Sequence, residues 1–398
     1  MQKFKYIILG AGPSGLSFAS TLLEHGENSF LVIEQEEVPG GLCRSKIIDG
    51  SPLDIGGGHF LDVKNKVATD FLFKFLPRED WCIHNRKSTI LLGDYQIDYP
   101  IESSIWQLPI YQQIEYLESI AYCGANLKKK SPKSFHDWII WKLGNKIAEE
   151  YMIPYNKKIW SMDLNELGTY WMYKLPDVSF KETLMSCLNK SKYGNIPAHE
   201  KFFYPKQYGY GEVWSRIGVS LSNKLLLNTK VESLDVSKHM INNQYQGEII
   251  INTIPWDSFQ LINLPLKISA AISNLKHSSI QIDYFSKSLD ETSQWIYVPN
   301  ENISYHRILN RKEFVCGSNG YWTETNTKRV NSIENSVNVN EYAYPLNTQK
   351  KRESIKIVLS FAEKYDIYGL GRWGTWEHMN SDIAVEKGIS LAETLINK

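Results

Sequence analysis

Residues 4–15, Phe-Lys-Tyr-Ile-Ile-Leu-Gly-Ala-Gly-Pro-Ser-Gly, join a short apolar run to a glycine-rich turn, and Leu16 to His25 continues as a helix closing near Gly26. Gly10, Gly12 and Gly15 have the spacing in which the first glycine permits a tight turn, the second lets a pyrophosphate approach the backbone and the third lets the helix pack closely. The helix opened by Pro13 and Ser14 then presents its unpaired N–H groups to the anion. A second apolar run, Phe30 to Ile33, ends at Glu34. The unit is therefore strand, helix, strand. An acidic group at that end accepts hydrogen bonds from ribose hydroxyls and disfavours a 2′-phosphate.

Further glycines widen this picture. Gly40-Gly41 lies just beyond Glu34 and is followed by Arg44, and Asp54-Ile55-Gly56-Gly57-Gly58-His59 comes next. Gly41, Gly57 and Gly58 give more backbone clearance than a nicotinamide dinucleotide requires, which suits a longer, extended cofactor. Arg44 is placed to neutralise a pyrophosphate, although a solvated surface arginine is equally compatible. His59 is a candidate to lie against a cofactor ring, with a structural histidine as the alternative. Near the C-terminus, Gly369-Leu370-Gly371-Arg372-Trp373-Gly374 precedes Asn380-Ser381-Asp382 and a helix from about Ile383 to Ile396. A second helix N-terminus thus supplies a second set of backbone donors.

The rest of the composition narrows the function classes. Lys plus Arg and Asp plus Glu both total 44 in 398 residues, so no overall field attracts nucleic acid. The five cysteines are scattered without a CxxC pair, which argues against a disulfide framework or zinc site, and the histidines lack ligand spacing, so no metal is expected. No run approaches about 18 apolar residues. The expectation is a soluble, cytoplasmic protein with no membrane span. The 12 Trp and 23 Tyr suit either an aromatic core or a pocket that walls a ring or a sugar.

The fold class read from these patterns is α/β. A Rossmann-like cofactor domain is discontinuous over 1–75, 200–260 and 355–398, a helical insert spans 105–195, and 76–104 with 265–350 form an antiparallel-sheet substrate domain. The Asn-rich stretch 325–340 reads as a long surface loop.

These blocks, in this order, resemble the FAD-dependent amine oxidase and protoporphyrinogen oxidase superfamily, and within it the UDP-galactopyranose mutases of the eukaryotic type. Ile83-His84-Asn85-Arg86, Ile97-Asp98-Tyr99-Pro100-Ile101, Ser134 to Trp138, Pro154 to Trp160, Phe203 to Trp214 and Gly371 to Trp376 carry the likeness along nearly the whole chain. The resemblance implies FAD as cofactor and a nucleotide-activated sugar as substrate, isomerised by reduced flavin without net oxidation, with an external reductant for the flavin. It also implies roles for individual residues. His59 and Arg307 are the catalytic candidates, with Arg307 on the diphosphate. Arg86 joins the cofactor site, along with Arg372, Asn380, Ser381 and Asp382. Tyr99, Trp160, Lys174, Trp295, Tyr297, Arg307, Tyr344 and His378 form the substrate site, although alternating aromatics such as Trp295 and Tyr297 are also common in sheet cores.

Departures from the mutase pattern are equally visible. Lys174 stands where a second arginine is expected, Glu377-His378 replaces a tyrosine after Trp376, and Glu102 occupies the place of a neutral amide. Added carboxylates repel a diphosphate. Two alternatives follow: an FAD-dependent oxidoreductase of the amine oxidase type, and a flavin-binding protein without catalysis.

Overall fold

The structure, a computed structural model, describes residues 2–193 and 200–398. Its organising element is the parallel core around strand Gln2–Leu9. On one side this strand pairs with Phe30–Ile33, Tyr6 opposite Phe30 and Leu9 opposite Ile33. On the other it pairs in parallel with Tyr245–Asn252. Leu225–Leu226 extends the sheet beyond Phe30–Ile33, and Ile367–Gly369 pairs with the end of Tyr245–Asn252. All four residues of Phe30–Ile33 are buried, as a strand covered on both faces must be.

The helix that returns from Leu9 to Phe30 is Pro13–Glu24. The terminal helix Ser381–Ile396 packs directly on it at Gly388, where a Cβ would lie 2.1 Å from Ser17 Oγ and 2.8 Å from Ser14 O. Residues from both ends of the chain and from its middle therefore build one layer, because a strand or helix with an apolar face must find a partner wherever the chain supplies it.

A second sheet runs in the order Ser336–Pro345, His277–Phe285, Tyr321–Asn326, Arg307–Asn310, Trp295–Tyr297, Ser88–Leu92, Tyr95–Asp98. Its pairings are antiparallel except that between Trp295–Tyr297 and Ser88–Leu92. Two expectations are corrected here. Residues 336–340 are not loop but part of strand Ser336–Pro345, which alternates polar and apolar side chains and pairs with His277–Phe285, so their asparagines sit on sheet positions. Lys201–Pro205 and Trp81–Asn85, assigned from sequence to the cofactor domain and the substrate sheet, join Leu61–Asp62 in a separate three-stranded sheet.

The helical region comprises Ile110–Ala121, Phe135–Ile147, Ile153–Trp160 and Phe180–Asn189. Ser134 caps the second of these by accepting from Asp137 N. Gly144 breaks it with φ +77, and one π-helical turn, Ala148–Met152, leads into Ile153–Trp160. Such turns widen a helix locally and re-aim its side chains. Here they direct Tyr151, Tyr155, Asn156, Ile159 and Trp160 toward a single cavity.

Candidate functional site

Two cavities among the described residues bear on function. The first, about 610 Å³, is a cleft lined at one end by Gly10, Gly12, Pro13, Ser14, Glu34 and Gly41 to Arg44. His59, Arg372 and Met379 to Ser381 line it as well. The second, about 280 Å³, is walled by Tyr99, Tyr151, Tyr155, Trp160, Trp171, Tyr297 and Tyr344, with Arg307, His306, Glu102 and His378 among them.

Glycine chemistry explains the cleft. A Cβ on Gly15 would lie 2.1 Å from Gly10 O, so that position must be bare for the helix to meet the strand. A Cβ on Gly12 would meet no protein atom within 4 Å, so its bareness leaves room in the cleft itself. Gly41, at φ +54, comes within 3.2 Å of Gly12 Cα measured from its own ideal Cβ, bringing the two glycine turns edge to edge. Gly12 precedes helix Pro13–Glu24 and Asn380 precedes helix Ser381–Ile396, and neither helix start has a side-chain cap. Both starts therefore offer backbone donors to an anion in the cleft.

Glu34 is buried and accepts from Ala11 N at 2.7 Å and Glu36 N at 3.0 Å, one bond to each carboxylate oxygen. Each oxygen keeps acceptor capacity toward the cleft, and burial raises its pKa. Arg44 lines the cleft while paired with Glu36 at 2.5 Å, so its charge is already shared with a carboxylate.

Several cofactor-site candidates lie beside the cleft rather than on it. Gly371 abuts Ser14, and Asp382 accepts from Asn65 at 3.2 Å. Gly57 leaves room for the Glu324 carboxylate, and Gly58 for Leu309 and Trp295. Arg86 lines neither cavity, its guanidinium lying 4.8 Å from the Trp295 ring centroid and donating to Tyr297 OH at 3.1 Å. That position follows from strand pairing, which carries its side chain onto the aromatic cluster.

His59 marks where the cavities approach. Its Nδ1 lies 3.0 Å from Gly57 O, so the proton sits on Nδ1. Burial, then Arg372, lower its pKa to about 4, with a smaller contribution from Arg307. It is a neutral imidazole flanked by one arginine from each cavity. Tyr344 is shared similarly: Arg307 donates to its hydroxyl at 3.2 Å, and the Arg372 guanidinium lies 5.9 Å from its ring centroid.

Of the substrate-site candidates, Tyr99, Trp160, Tyr297, Arg307, Tyr344 and His378 line the second cavity. Trp295 does not. It is 2% exposed and packed edge-on against Phe60, Phe202 and Phe314. Strand alternation places Tyr297 on the same face, where it packs against Tyr99 and Tyr155 of the cavity wall. Lys174 closes a short 3-10 turn, Met172–Lys174, and its side chain lies outside the described residues.

Arg307 is not a bare cation. Its guanidinium donates to Glu324 Oε2 through Nε at 2.9 Å and also through Nη2, and His306 Nε2 lies 3.5 Å from the same oxygen. Desolvation would raise the Glu324 pKa, but Arg307 and His306 overcome it and bring it to about 2. Burial lowers the His306 pKa. Glu324 Oε1, His306 Nδ1 and Trp171 Nε1 are buried without a protein partner, and of these residues His306 and Trp171 line the cavity, where a ligand would satisfy them.

Sequence reading missed several lining residues. Thr229 to Val231, Thr253 to Pro255 and Asn340 to Tyr342 line the cleft, and Tyr155, His306 and Trp171 the second cavity. Tyr155, Asn156, Ile159 and Trp160 fall on one helical face, a signal present in the sequence; the others required tertiary contacts.

The geometry defines first a class. Residues 8–75 match the NAD(P)-binding Rossmann-like domain family. The whole chain, next, has the fold of a solved reduced UDP-galactopyranose mutase, with TM-score 0.88 at 20% identity, covering 100% of this chain and 94% of that one. It is also similar to a putrescine oxidase solved with putrescine bound, with TM-score 0.66 at 15% identity over 100% and 99% of the two chains. In sequence, 82 residues are 32% identical to UDP-galactopyranose mutase of Mycoplasma pneumoniae, a match covering 20% of each protein. Matches to curated relatives span 14%, 49% and 20% of those proteins' lengths. The family match and a cleft with two uncapped helix starts fit a dinucleotide. No described helix is long and apolar enough to cross a membrane.

Proposed function

We propose that this chain is an FAD-dependent enzyme that isomerises a nucleotide-activated sugar, with the flavin reduced and no net oxidation of the substrate. The observation carrying this reading is the adjacency of an aromatic-walled cavity holding one arginine to the end of the cofactor cleft, with Tyr344 between Arg307 and Arg372. Full-length likeness to the fold of UDP-galactopyranose mutase supports it.

The cofactor supplies the electrons on which the sugar chemistry depends. In this reading the chain's residues bind and orient. Arg307 and Tyr344 hold the diphosphate. Tyr155, Trp160 and Trp171 stack the base, and Tyr99 and Tyr297 line the space between. His59 stays neutral beside Arg372 and accepts a hydrogen bond at Nε2 rather than carrying a charge. Burial of these groups excludes water and strengthens each polar contact.

A second reading, oxidation of an amine or carbon centre, is favoured by the neutralised Arg307–Glu324 pair and by a carboxyl, Glu102, in the cavity wall. Likeness to the putrescine oxidase fold supports it also. Titrating UDP and UDP-galactose against oxidised and reduced protein, followed by flavin absorbance, separates the two. Binding that strengthens on reduction, with turnover only after dithionite, supports the mutase-like reading. Bleaching by an amine without added reductant would overturn it.

A further inference from the structure

One face of the helical region has no covering element among the described residues. Helix Ile110–Ala121 is closed on its inner side by helix Phe135–Ile147, where Lys146 N donates to Ser119 Oγ at 3.0 Å. Its outer side carries Ile110, Tyr111 and Ile114, each more than half exposed, and Tyr122 at its end is 71% exposed. With 3.6 residues per turn these four fall within about 120° of one another, so they form a single stripe. Glu115 and Glu118 lie along the same side, and Glu115 is paired with Lys146 at 2.8 Å. The chain then enters a loop over 123–133. Leu127 is 48% exposed there, and Lys128, Lys129, Lys130 and Lys133 are exposed with no ion pair among the described residues. Residues 119–136 contain no acidic side chain.

The loop is held at several points. Ala125 N donates to Trp141 O at 2.8 Å, Lys129 N to Gly124 O at 2.8 Å, and Trp141 Nε1 to Lys129 O at 3.0 Å. Asn126 Nδ2 donates to Ala121 O at 2.7 Å. Gly124 has no room for a side chain, because Trp141 Cδ1 lies 2.1 Å from where its Cβ would stand. A backbone fixed in this way presents its ammonium groups without losing loop entropy on binding. Cations alone would suit any polyanion, but the residue types select among them. Nucleic-acid phosphates are met best by the planar fork of arginine, and residues 87–215 contain no arginine. Exposed Tyr122 and Leu127 gain little on a phosphate backbone. On a bilayer they reach the boundary between headgroups and acyl chains, while the lysines stay at the headgroups. A second copy meeting this face by twofold symmetry would bring its own lysines to the same interface.

We propose that the outer face of helix Ile110–Ala121 and the loop over 122–133 form a docking surface for an anionic lipid leaflet, on which the protein lies without crossing it. Helix Phe135–Ile147 carries Trp141 to the loop and Trp138 to the second cavity, so docking sets that cavity beside the bilayer. The surface is independent of which substrate the cavity takes.

The test sediments flavin-loaded protein with vesicles of phosphatidylcholine alone and with vesicles containing about 30% phosphatidylserine. Binding should appear with the anionic vesicles and weaken about tenfold or more when sodium chloride rises from about 0.05 to about 0.5 M. Each lysine near such a surface contributes about fivefold, so Lys128→Gln, Lys129→Gln and Lys130→Gln together should weaken binding about a hundredfold. Flavin absorbance and Tm of this triple variant should match wild type, since all three side chains are exposed. Leu127→Ser should weaken binding about fivefold, and equally at both salt concentrations, because salt does not screen apolar insertion. Equal binding to neutral vesicles, no binding to anionic ones, or full binding by the triple variant would overturn the proposal. So would a lysine-dependent affinity for single-stranded DNA exceeding that for the vesicles, or a dimer in solution that Leu127→Ser dissociates.

Discussion

Arg307 and Glu324 stand directly opposite each other on neighbouring antiparallel strands and form a buried ion pair, with Glu324 only 1% exposed. The residue best suited to a diphosphate is therefore held in place by a carboxylate that also neutralises its charge. Removing one partner leaves the other charge buried, whereas replacing both does not. Arg307→Ala should cost about 3–5 kcal/mol in thermal unfolding of the flavin-loaded protein, and the double variant Arg307→Met with Glu324→Gln distinctly less than the single. Because the folded Glu324 pKa is about 2 against an ordinary 4.5, its contribution is present above pH 4.5 and is lost as pH falls toward 2. The acid limb of the unfolding profile should therefore flatten in the double variant. Arg307→Lys keeps the charge but not the planar fork, and should weaken UDP-galactose binding about tenfold.

Two glycines of one motif should fail differently. Gly15→Ala places a methyl 2.1 Å from Gly10 O and should disrupt helix packing, lowering soluble yield and Tm. Gly12→Ala meets no protein atom within 4 Å. It should fold with near-normal far-UV circular dichroism yet purify with little flavin, measured as the 450 nm to 280 nm absorbance ratio.

Trp295 and Tyr297 are two residues apart but should separate stability from binding. Trp295→Ala empties a cluster of Phe60, Phe202 and Phe314 and should cost about 3–5 kcal/mol in denaturant unfolding. Tyr297→Phe loses the hydrogen bond from Arg86, worth about 1 kcal/mol, and should show its larger effect in ligand affinity at the cavity wall.

His59 should be silent through the neutral range. Its folded pKa of about 4 lies below the ordinary 6.5, so its contribution to stability is complete above pH 6.5 and is lost as pH falls from 6.5 toward 4. Between those values the Tm of wild type should fall more steeply than that of His59→Gln. Equal slopes would mean that folding leaves the His59 pKa unshifted.

The cofactor half of the site was legible because its chemistry is local. Gly10, Gly12 and Gly15 act through backbone clearance within one turn, and Glu34 follows at the next strand end, so spacing along the chain equals spacing in the fold. The terminal helix was recognised similarly, by a glycine-rich turn before an apolar periodic run, though its start at Ser381 is two residues earlier than read. The stretch 325–340 misled because asparagines suggest loops, whereas strand Ser336–Pro345 is held by pairing with His277–Phe285, a contact about sixty residues away in sequence.

The sequence by itself determined the βαβ unit, the glycine cradle and the aromatic richness from which a pocket could be built. Only the tertiary structure decided which aromatics face the pocket and which fill the core, sending Tyr297 to one and Trp295 to the other. It alone set Glu324 opposite Arg307 and buried Glu102 in the cavity wall. Backbone geometry is set by neighbours in the chain, but the charge and hydrogen-bonding state of a side chain depend on whatever distant segments exclude water from it.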